Sequence, residues 1–530
     1  MSELELVLAL LVPVAAFAVL ARRLGVPYPI LLVLGGLLLG LVPGLPRAEL
    51  APDVVFLVFL PPLIYHAAYH SSGRDLKQYA GVIARLAVGL VVATAAVVGV
   101  VAHAVVPGLS WPVALLVGAI VSPPDAVAAT AVLQRLGAPR KMLSILEGES
   151  LLNDATALVL YRAALAAVVT GALAPADAGL RVLLALGGVL VGLAVGAVVA
   201  PIRRRLDDPP VEILISLLTP YAAYLPAERL GLSGVLAAAA AGLYLGRRAP
   251  ELMQAQARVS GRATWDSLIF VLHGLVFILI GLQLPVVAAG LASREPGTLI
   301  AAAVAVSLAA IGTRLVWMFA TEYPLKARAA RRGGRRASWQ ATLVTGWAGM
   351  RGVVSLAAAL ALPTMLPDGR PFAERDLVLF LTFAVILVTL VGQGLTLPWL
   401  MGWLRVGPDG AEDDRERQAR LAAARAAAAR IEQLTVEWPG HLPLIDALRA
   451  QYDHLVSHLV ADGDDGADGL APLPEHGHDH ELLDHRRIRR AVVDAERDAV
   501  QELFARGELH DEQRRRIERD LDLEELRMEG

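Results

Sequence analysis

The run Gly148-Glu149-Ser150-Leu151-Leu152-Asn153-Asp154-Ala155 places two carboxylates, an amide and a hydroxyl inside a stretch, Met142 to Thr170, that is otherwise apolar and long enough to cross a bilayer. A carboxylate at the middle of a membrane is disfavoured by about 2.5–3.5 kcal/mol, so such a residue faces a bundle interior or a water-filled cavity and usually carries function there. On a helix Ser150 stands one turn before Asp154 and shares its face, and Asn153 is its immediate neighbour. The Asp154 carboxylate, the Ser150 hydroxyl and backbone carbonyls freed near Pro123 and Pro124 are the oxygen ligands that a hard cation takes. Na+ on Asp154 is the metal reading of this set. One carboxylate holds either a proton or a cation. That competition alone gives obligatory exchange if only loaded states cross. With neutral Asn153 beside it there is one titrating group, hence one proton for one monovalent ion.

Three further charges need an account. Glu149 lies five residues before Asp154, about 140° around the helix at roughly 100° per residue, and so points toward another helix. Arg351, within Gly346-Trp347-Ala348-Gly349-Met350-Arg351-Gly352, is its expected partner, because a buried arginine seeks a carboxylate. Asp125 follows Ser122-Pro123-Pro124, where it would cap the N-terminus of a half-helix. Glu149, Arg351 and Asp125 are read as a structural charge network. The competing reading of Asp154 itself is a structural salt bridge, weakened because Glu149 and Arg351 already balance. His66, after Leu60-Pro61-Pro62-Leu63-Ile64-Tyr65, is a pH-modulation candidate set against a merely packed histidine, as is His273. Arg314 reads as a snorkelling residue near a span end, and His476, His478, His480 and His485 as a solvated loop rather than a metal site.

The elements that hold these residues are apolar blocks. The 530-residue chain is 56% hydrophobic and 19% charged, with no cysteine and a net charge of −3. Disulfides and thiolate metal sites are excluded, and nothing in the charge points to nucleic acid. The expected fold is an all-α polytopic membrane protein of thirteen spans over residues 1–406, followed by a mostly helical cytoplasmic tail over 407–530. The spans are read as Leu4–Ala21, Tyr28–Val42, Pro52–Tyr69, Ala80–Val106, Pro112–Leu133, Met142–Thr170, Gly179–Pro201, Val211–Arg229, Ser233–Gly246, Thr264–Ala289, Thr298–Thr321, Trp339–Leu362 and Leu377–Leu404. The first lacks the positive leader of a signal peptide and is read as retained. Basic residues gather in alternate loops, Arg22-Arg23, Arg203-Arg204-Arg205 and Lys326 to Arg336 among them. The positive-inside rule then places the N-terminus outside and the tail in the cytoplasm. The fifth and twelfth spans are broken, one by two prolines and one by three glycines. They are the corresponding members of two six-helix halves of opposite topology, the best sequence pointer to a transport site at the midplane. In the tail, helices are expected over Glu412–Glu437, on to Val460, and over Arg486–Arg527, with Trp438–Pro443 as a break and Asp462–Asp479 as a loop.

Three motifs carry a family resemblance across Leu4 to about Leu404: Gly-Glu-Ser-Leu-Leu-Asn-Asp at 148–154, Pro-Asp-Ala-Val-Ala at 124–128, and Gly349-Met350-Arg351-Gly352. Together they resemble the electroneutral sodium/proton exchangers, the Asn-Asp branch of the monovalent cation:proton antiporters. The resemblance implies a homodimer, a dimerisation half and an elevator-like core half, and crossed, unwound fifth and twelfth helices. It implies that Asp154 binds the cation with support from Asn153 and Ser150, and that Glu149 pairs with Arg351. This sequence departs by Pro124 where some relatives have threonine and by His66 where some carry an acid. The expected activity is exchange of Na+ for H+ at the plasma membrane, without a cofactor and with Li+ or K+ as further candidate ions. K+/H+ exchange is the alternative within the class. A gated cation channel, or an anion transporter using Arg351, is the alternative from another class. No nucleophile–base pair suggests an enzyme, and membrane lipids and a second copy are the expected partners.

Overall fold

The computed structural model describes residues 3–42, 55–170, 175–206, 208–291, 294–331, 338–366, 369–407, 410–461 and 479–529. Everything regular in it is helical, and the β-like pairing among these residues is an isolated bridge between Met365 and Pro371. Two compact units emerge: residues 1–205, 214–252 and 264–408 in the first, and residues 206–213, 253–263 and 409–530 in the second.

The first unit holds, in order, α1 (Glu3–Leu24), α2 (Tyr28–Gly40), α3 (Leu60–His70), α4 (Ala80–Val105), α5 (Trp111–Val121), α6 (Ala126–Arg135), α7 (Arg140–Thr170), α8 (Pro175–Arg203), α9 (Pro209–Arg229), α10 (Gly234–Leu252), α11 (Ala255–Gly290), α12 (Pro296–Trp317), α13 (Trp339–Trp347), α14 (Val353–Leu360) and α15 (Arg375–Leu404). The opening turns of α9 and α11 fall in the second unit. Seven stretches among the described residues are long and apolar enough to cross a membrane: Ala80–Val105, Trp111–Arg135, Arg140–Thr170, Leu184–Arg203, Ala255–Gln283, Pro296–Leu325 and Arg375–Leu404. Small residues let the helices approach closely. A Cβ at Gly118 on α5 would overlap the Ala95 carbonyl of α4, and one at Gly281 on α11 would overlap the Val33 carbonyl of α2.

The two breaks stand where the sequence weakens the helix. Helix α5 ends at Val121, and α6 restarts only after Ser122-Pro123-Pro124-Asp125. Prolines remove donors and clash with the preceding turn. Helix α13 ends at Trp347, and α14 begins after Gly349-Met350-Arg351-Gly352. Four turns of π type occur among the described residues, at Val55–Phe59 before α3, Arg85–Leu90 in α4, Met318–Glu322 after α12, and Val388–Gln393 in α15. Such turns cluster at functional sites.

The second unit is built on α16 (Gly410–Glu437), α17 (Leu442–Ala461), α18 (Asp479–Arg506) and α19 (Asp511–Glu529). Ala424, Ala427, Ile431, Ile445, Leu448, Ile488 and Val492 form one core cluster; Ala419, Ala423, Val493, Val500, Leu509, Ile517 and Leu521 form another. The single helix expected over Arg486–Arg527 is two. Gly507 takes φ +83°, and the Glu508 amide reaches back to the Leu503 carbonyl. This glycine C-cap terminates α18. The expected loop, Asp462 to Asp479, lies outside the described residues up to 478, as do His476 and His478.

Candidate functional site

The breaks meet. The amide of Asp125 donates to the carbonyl of Met350 at 2.7 Å. The Asp125 side chain then serves both restarted helices. Its Oδ1 accepts from the Val127 amide of α6 at 2.9 Å, and its Oδ2 accepts from the Val353 amide of α14 at 3.2 Å. One carboxylate thus caps two helix N-termini, the ends that carry partial positive charge. Gly352 is required by this clasp, since a Cβ there would overlap Asp125 Oδ2.

Arg351 sits at the opposite kind of end. It is 1% exposed. Its Nε donates to Val121 O, the last carbonyl of α5, at 3.2 Å, its Nη2 donates to Ala310 O at 3.2 Å, and its Nη1 donates to Gly349 O. Helix C-termini leave carbonyls unsatisfied and negative, so a guanidinium with five donors satisfies what the breaks expose. Its own amide donates to Thr389 Oγ1 at 3.1 Å, in the π turn of α15.

The expected Glu149–Arg351 pair is not formed. Glu149 is held by Arg314, whose Nη1 and Nη2 meet Oε1 and Oε2, the second contact at 2.8 Å, with both side chains 1% exposed. The fork-to-fork geometry uses both carboxylate oxygens. Arg314 is therefore not a snorkelling residue. Its helix does not end nearby, because the π turn Met318–Glu322 and the helix Tyr323–Arg331 extend it. The sequence signal was present: an arginine in an apolar stretch that continues past it. Further along the same stretch Glu322, fully buried, binds Arg85 at 2.7 and 2.9 Å.

On α7, Asn153 Nδ2 donates to the Pro124 carbonyl at 2.7 Å, supplying a donor to a carbonyl that the break leaves open. Asn153 Oδ1 is buried without a hydrogen-bond partner. Ser150 Oγ accepts from the Ala126 amide at 3.4 Å. Pro123 and Pro124 are buried, and Asp154 is half-buried. Ser150 and Asn153 thus bind α7 to the first break, while Glu149 anchors it to α12 on the other side. Among the described residues Asp154 alone of the charges singled out here takes no hydrogen bond and no ion pair. His66 is placed elsewhere: its ring lies 4.2 Å from that of His70 and 5.6 Å from that of Trp265, and His70 Nδ1 donates to its carbonyl at 3.0 Å. His273 is buried beside Phe277, centroids 6.1 Å apart.

Residues 6–403 match the family of transmembrane sodium/hydrogen exchangers. A Mycobacterium bovis protein named as an uncharacterized Na(+)/H(+) exchanger is 36% identical over 532 residues, covering 99% of this chain and 96% of its own. A Bacillus pumilus protein named as a sodium, potassium, lithium and rubidium/H(+) antiporter is 34% identical over 406 residues, covering 74% of this chain and 60% of its own. The fold resembles that of the sodium proton antiporter MjNhaP1 of Methanocaldococcus jannaschii, with TM-score 0.58 at 21% identity over 76% of this chain and 99% of that one.

Proposed function

Because the chain belongs to the transmembrane sodium/hydrogen exchanger family, we propose that it exchanges Na+ for H+, one for one, by competition of the two ions for Asp154. The family is one of cation/proton antiporters, transporters rather than enzymes. The observation that carries the reading is the contrast among the charges around the breaks. Asp125 is clasped by two helix N-termini, Arg351 by carbonyls and Glu149 by Arg314, whereas Asp154 takes no hydrogen bond or ion pair among the described residues.

A carboxylate so placed binds whatever cation arrives. A proton neutralises it directly. A Na+ needs further oxygens, and the Ser150 hydroxyl, the Pro123 carbonyl and the second lone pair of the Pro124 carbonyl are the nearest kinds of ligand the break offers. Asn153 contributes through position, holding the Pro124 carbonyl in place, and adds no second titrating group. Glu149 and Arg351, with Asp125, keep the breaks open without taking the ion. Thirteen spans in two inverted halves, an elevator-like alternating-access cycle, a homodimer in the plasma membrane with the N-terminus outside, and a regulatory cytoplasmic tail complete the reading. His66 and His70 beside Trp265 are its candidate modulators of pH response. A second reading, K+/H+ exchange, is favoured by the printed name of the Bacillus pumilus relative.

The test uses purified protein in liposomes with an imposed pH gradient and an internal pH dye, adding Na+, K+ and Li+ in turn with the membrane potential clamped and unclamped. Collapse on Na+ that ignores the potential, lost in Asp154→Asn with its folding intact, is expected. Exchange retained by Asp154→Asn overturns the mechanism, and a response to K+ alone selects the second reading.

A further inference from the structure

Glu496 stands where the core stripe of α18 calls for an apolar residue. Ile488, Val492, Val493 and Val500 occupy that stripe and are buried, and Glu496 lies one turn after Val492 and one before Val500. It is 6% exposed. Its recorded partner is a phenol: Tyr452 Oη of α17, itself 1% exposed, donates to Glu496 Oε2 at 2.9 Å.

The charges around it do not neutralise it. From α19 comes Glu524, a second acid close enough to act on it. The neighbouring arginine of α18, Arg497, is committed to Asp494 at 3.3 Å, Asp522 at 3.2 Å and Glu525 at 2.8 Å, and Arg490 to Glu525 at 3.4 Å. Arg489 lies two turns earlier, about 10 Å along the axis. On α16, Ala423 and Ala424 belong to the two core clusters on either side of Glu496, and Arg420 is committed to Glu416 at 3.2 Å and Asp520 at 2.8 Å. Burial first, then Glu524, pushes the Glu496 carboxyl up to about 8. The same burial raises the Tyr452 phenol, so it stays protonated.

Asp522, one helix away, is the joint of the unit. It holds Arg497 of α18 and also Arg258, whose Nε donates to its Oδ2 at 2.8 Å. Arg258 belongs to segment 253–263 of the same unit, the opening turns of α11. We propose that the four tail helices form a proton-sensitive clasp on the first turns of α11, closed when Glu496 is protonated and loosened when it ionises between α17 and α19. On the exchanger reading, on which this regulatory step rests, the clasp lets cytoplasmic pH set the exchange rate.

The sign follows from linkage. A carboxyl raised on folding gives stability that is full below its unfolded value and is lost as pH rises toward the folded one. With 4.5 unfolded and about 8 folded, the opening equilibrium rises about eightfold between pH 6.5 and 7.5.

The experiment is hydrogen exchange of the full-length protein in lipid nanodiscs at those two pH values, corrected for intrinsic exchange and read on peptides from 442–461, 484–506 and 511–526. Wild type is expected to open about eightfold more at the higher pH, and Glu496→Gln, which keeps the shape and the hydrogen bond, less than twofold. A flat wild type, or a variant as steep as wild type, overturns the clasp. In liposomes Glu496→Gln is expected to flatten the cytoplasmic pH dependence of exchange. An unchanged dependence beside the altered hydrogen exchange overturns the regulatory step, whereas failure of the exchanger reading appears separately, as no cation-driven proton flux in wild type at any pH.

Discussion

Replacing Glu149 by Gln leaves the Arg314 guanidinium buried at 1% exposure with neutral acceptors in place of a carboxylate, the new amide oxygen and the Thr345 carbonyl at 3.4 Å. Removing one partner of a buried ion pair costs about 3–5 kcal/mol, because the other charge stays desolvated. Spread over residues 6–403 at about 2.1 cal/mol/K of unfolding entropy per residue, that is a loss of about 4–6 °C in Tm. Arg314→Met should cost a similar amount by stranding Glu149. The double variant removes both charges, so its loss is expected to fall short of the sum by at least about 2 kcal/mol. Arg351→Met removes a donor from Val121, Gly349 and Ala310 and is costly by itself, at about 1–3 kcal/mol for each carbonyl stranded. It shares no hydrogen bond with Glu149, so the coupling of Glu149→Gln with Arg351→Met is expected to be smaller than that with Arg314→Met. The assay is thermal unfolding of the wild type, the three single variants and the two doubles in one detergent at one protein concentration. Coupling of Glu149 to Arg351 in place of Arg314 would refute the assignment of the pair, and with it the account of how α7 is anchored.

Gly352→Ala is expected to abolish exchange and lower Tm, because its Cβ displaces Asp125 Oδ2 from α14; a variant that unfolds and transports like wild type refutes the double cap. Asn153→Ala should cost about 1–3 kcal/mol by removing the donor to the Pro124 carbonyl, seen as reduced thermal stability. Asn153→Asp adds a titrating group, so its liposome exchange should become sensitive to membrane potential, and potential-independent exchange would count against one-for-one competition at Asp154. Ser150→Ala gives up a long contact of 3.4 Å and should change Tm by under about 1 kcal/mol equivalent. A weakened apparent Na+ affinity at unchanged maximal rate would mark its hydroxyl as a ligand.

What could be read from the sequence was what is local along the chain. Two prolines stop α5 and a glycine-rich stretch stops α13, because each acts on its own turn of backbone. Asp125 as a cap is likewise local, being two residues from the Val127 amide it accepts. Its second role, on Val353, depends on how two distant breaks meet, and no spacing encodes that. The choice between Arg314 and Arg351 for Glu149 is of the same kind. Both arginines lie in apolar stretches, and only the tertiary arrangement decides which meets the acid and which meets carbonyls. Thr389 was not found, since a threonine in an apolar helix usually bonds its own preceding turn, as it also does here to Val385 O at 2.7 Å. In the tail, Gly507 offered a break that the charge pattern on either side concealed.

The arrangement of charge bears on why exchange should be obligatory. Around the two breaks each helix end is matched by a side chain of opposite sign, Asp125 on two N-termini and Arg351 on the carbonyls of Val121 and Gly349. The Glu149–Arg314 pair is neutral as a unit. On the reading proposed here, the net charge of this assembly is then that of Asp154: −1 when empty, zero with either a proton or a Na+. Moving the assembly through a low-dielectric region is disfavoured in the empty state by the cost of an uncompensated carboxylate, about 2.5–3.5 kcal/mol or more, which is a factor of about 70–370 in rate if it falls wholly on the barrier. Either ion removes that penalty, and neither can be bound with the other. Coupling then needs no gate that senses which ion is present; it follows from having every other charge at the breaks already satisfied. The same logic makes a second acid at Asn153 damaging to tight coupling even where it binds cations well, because the partly loaded site would again carry charge.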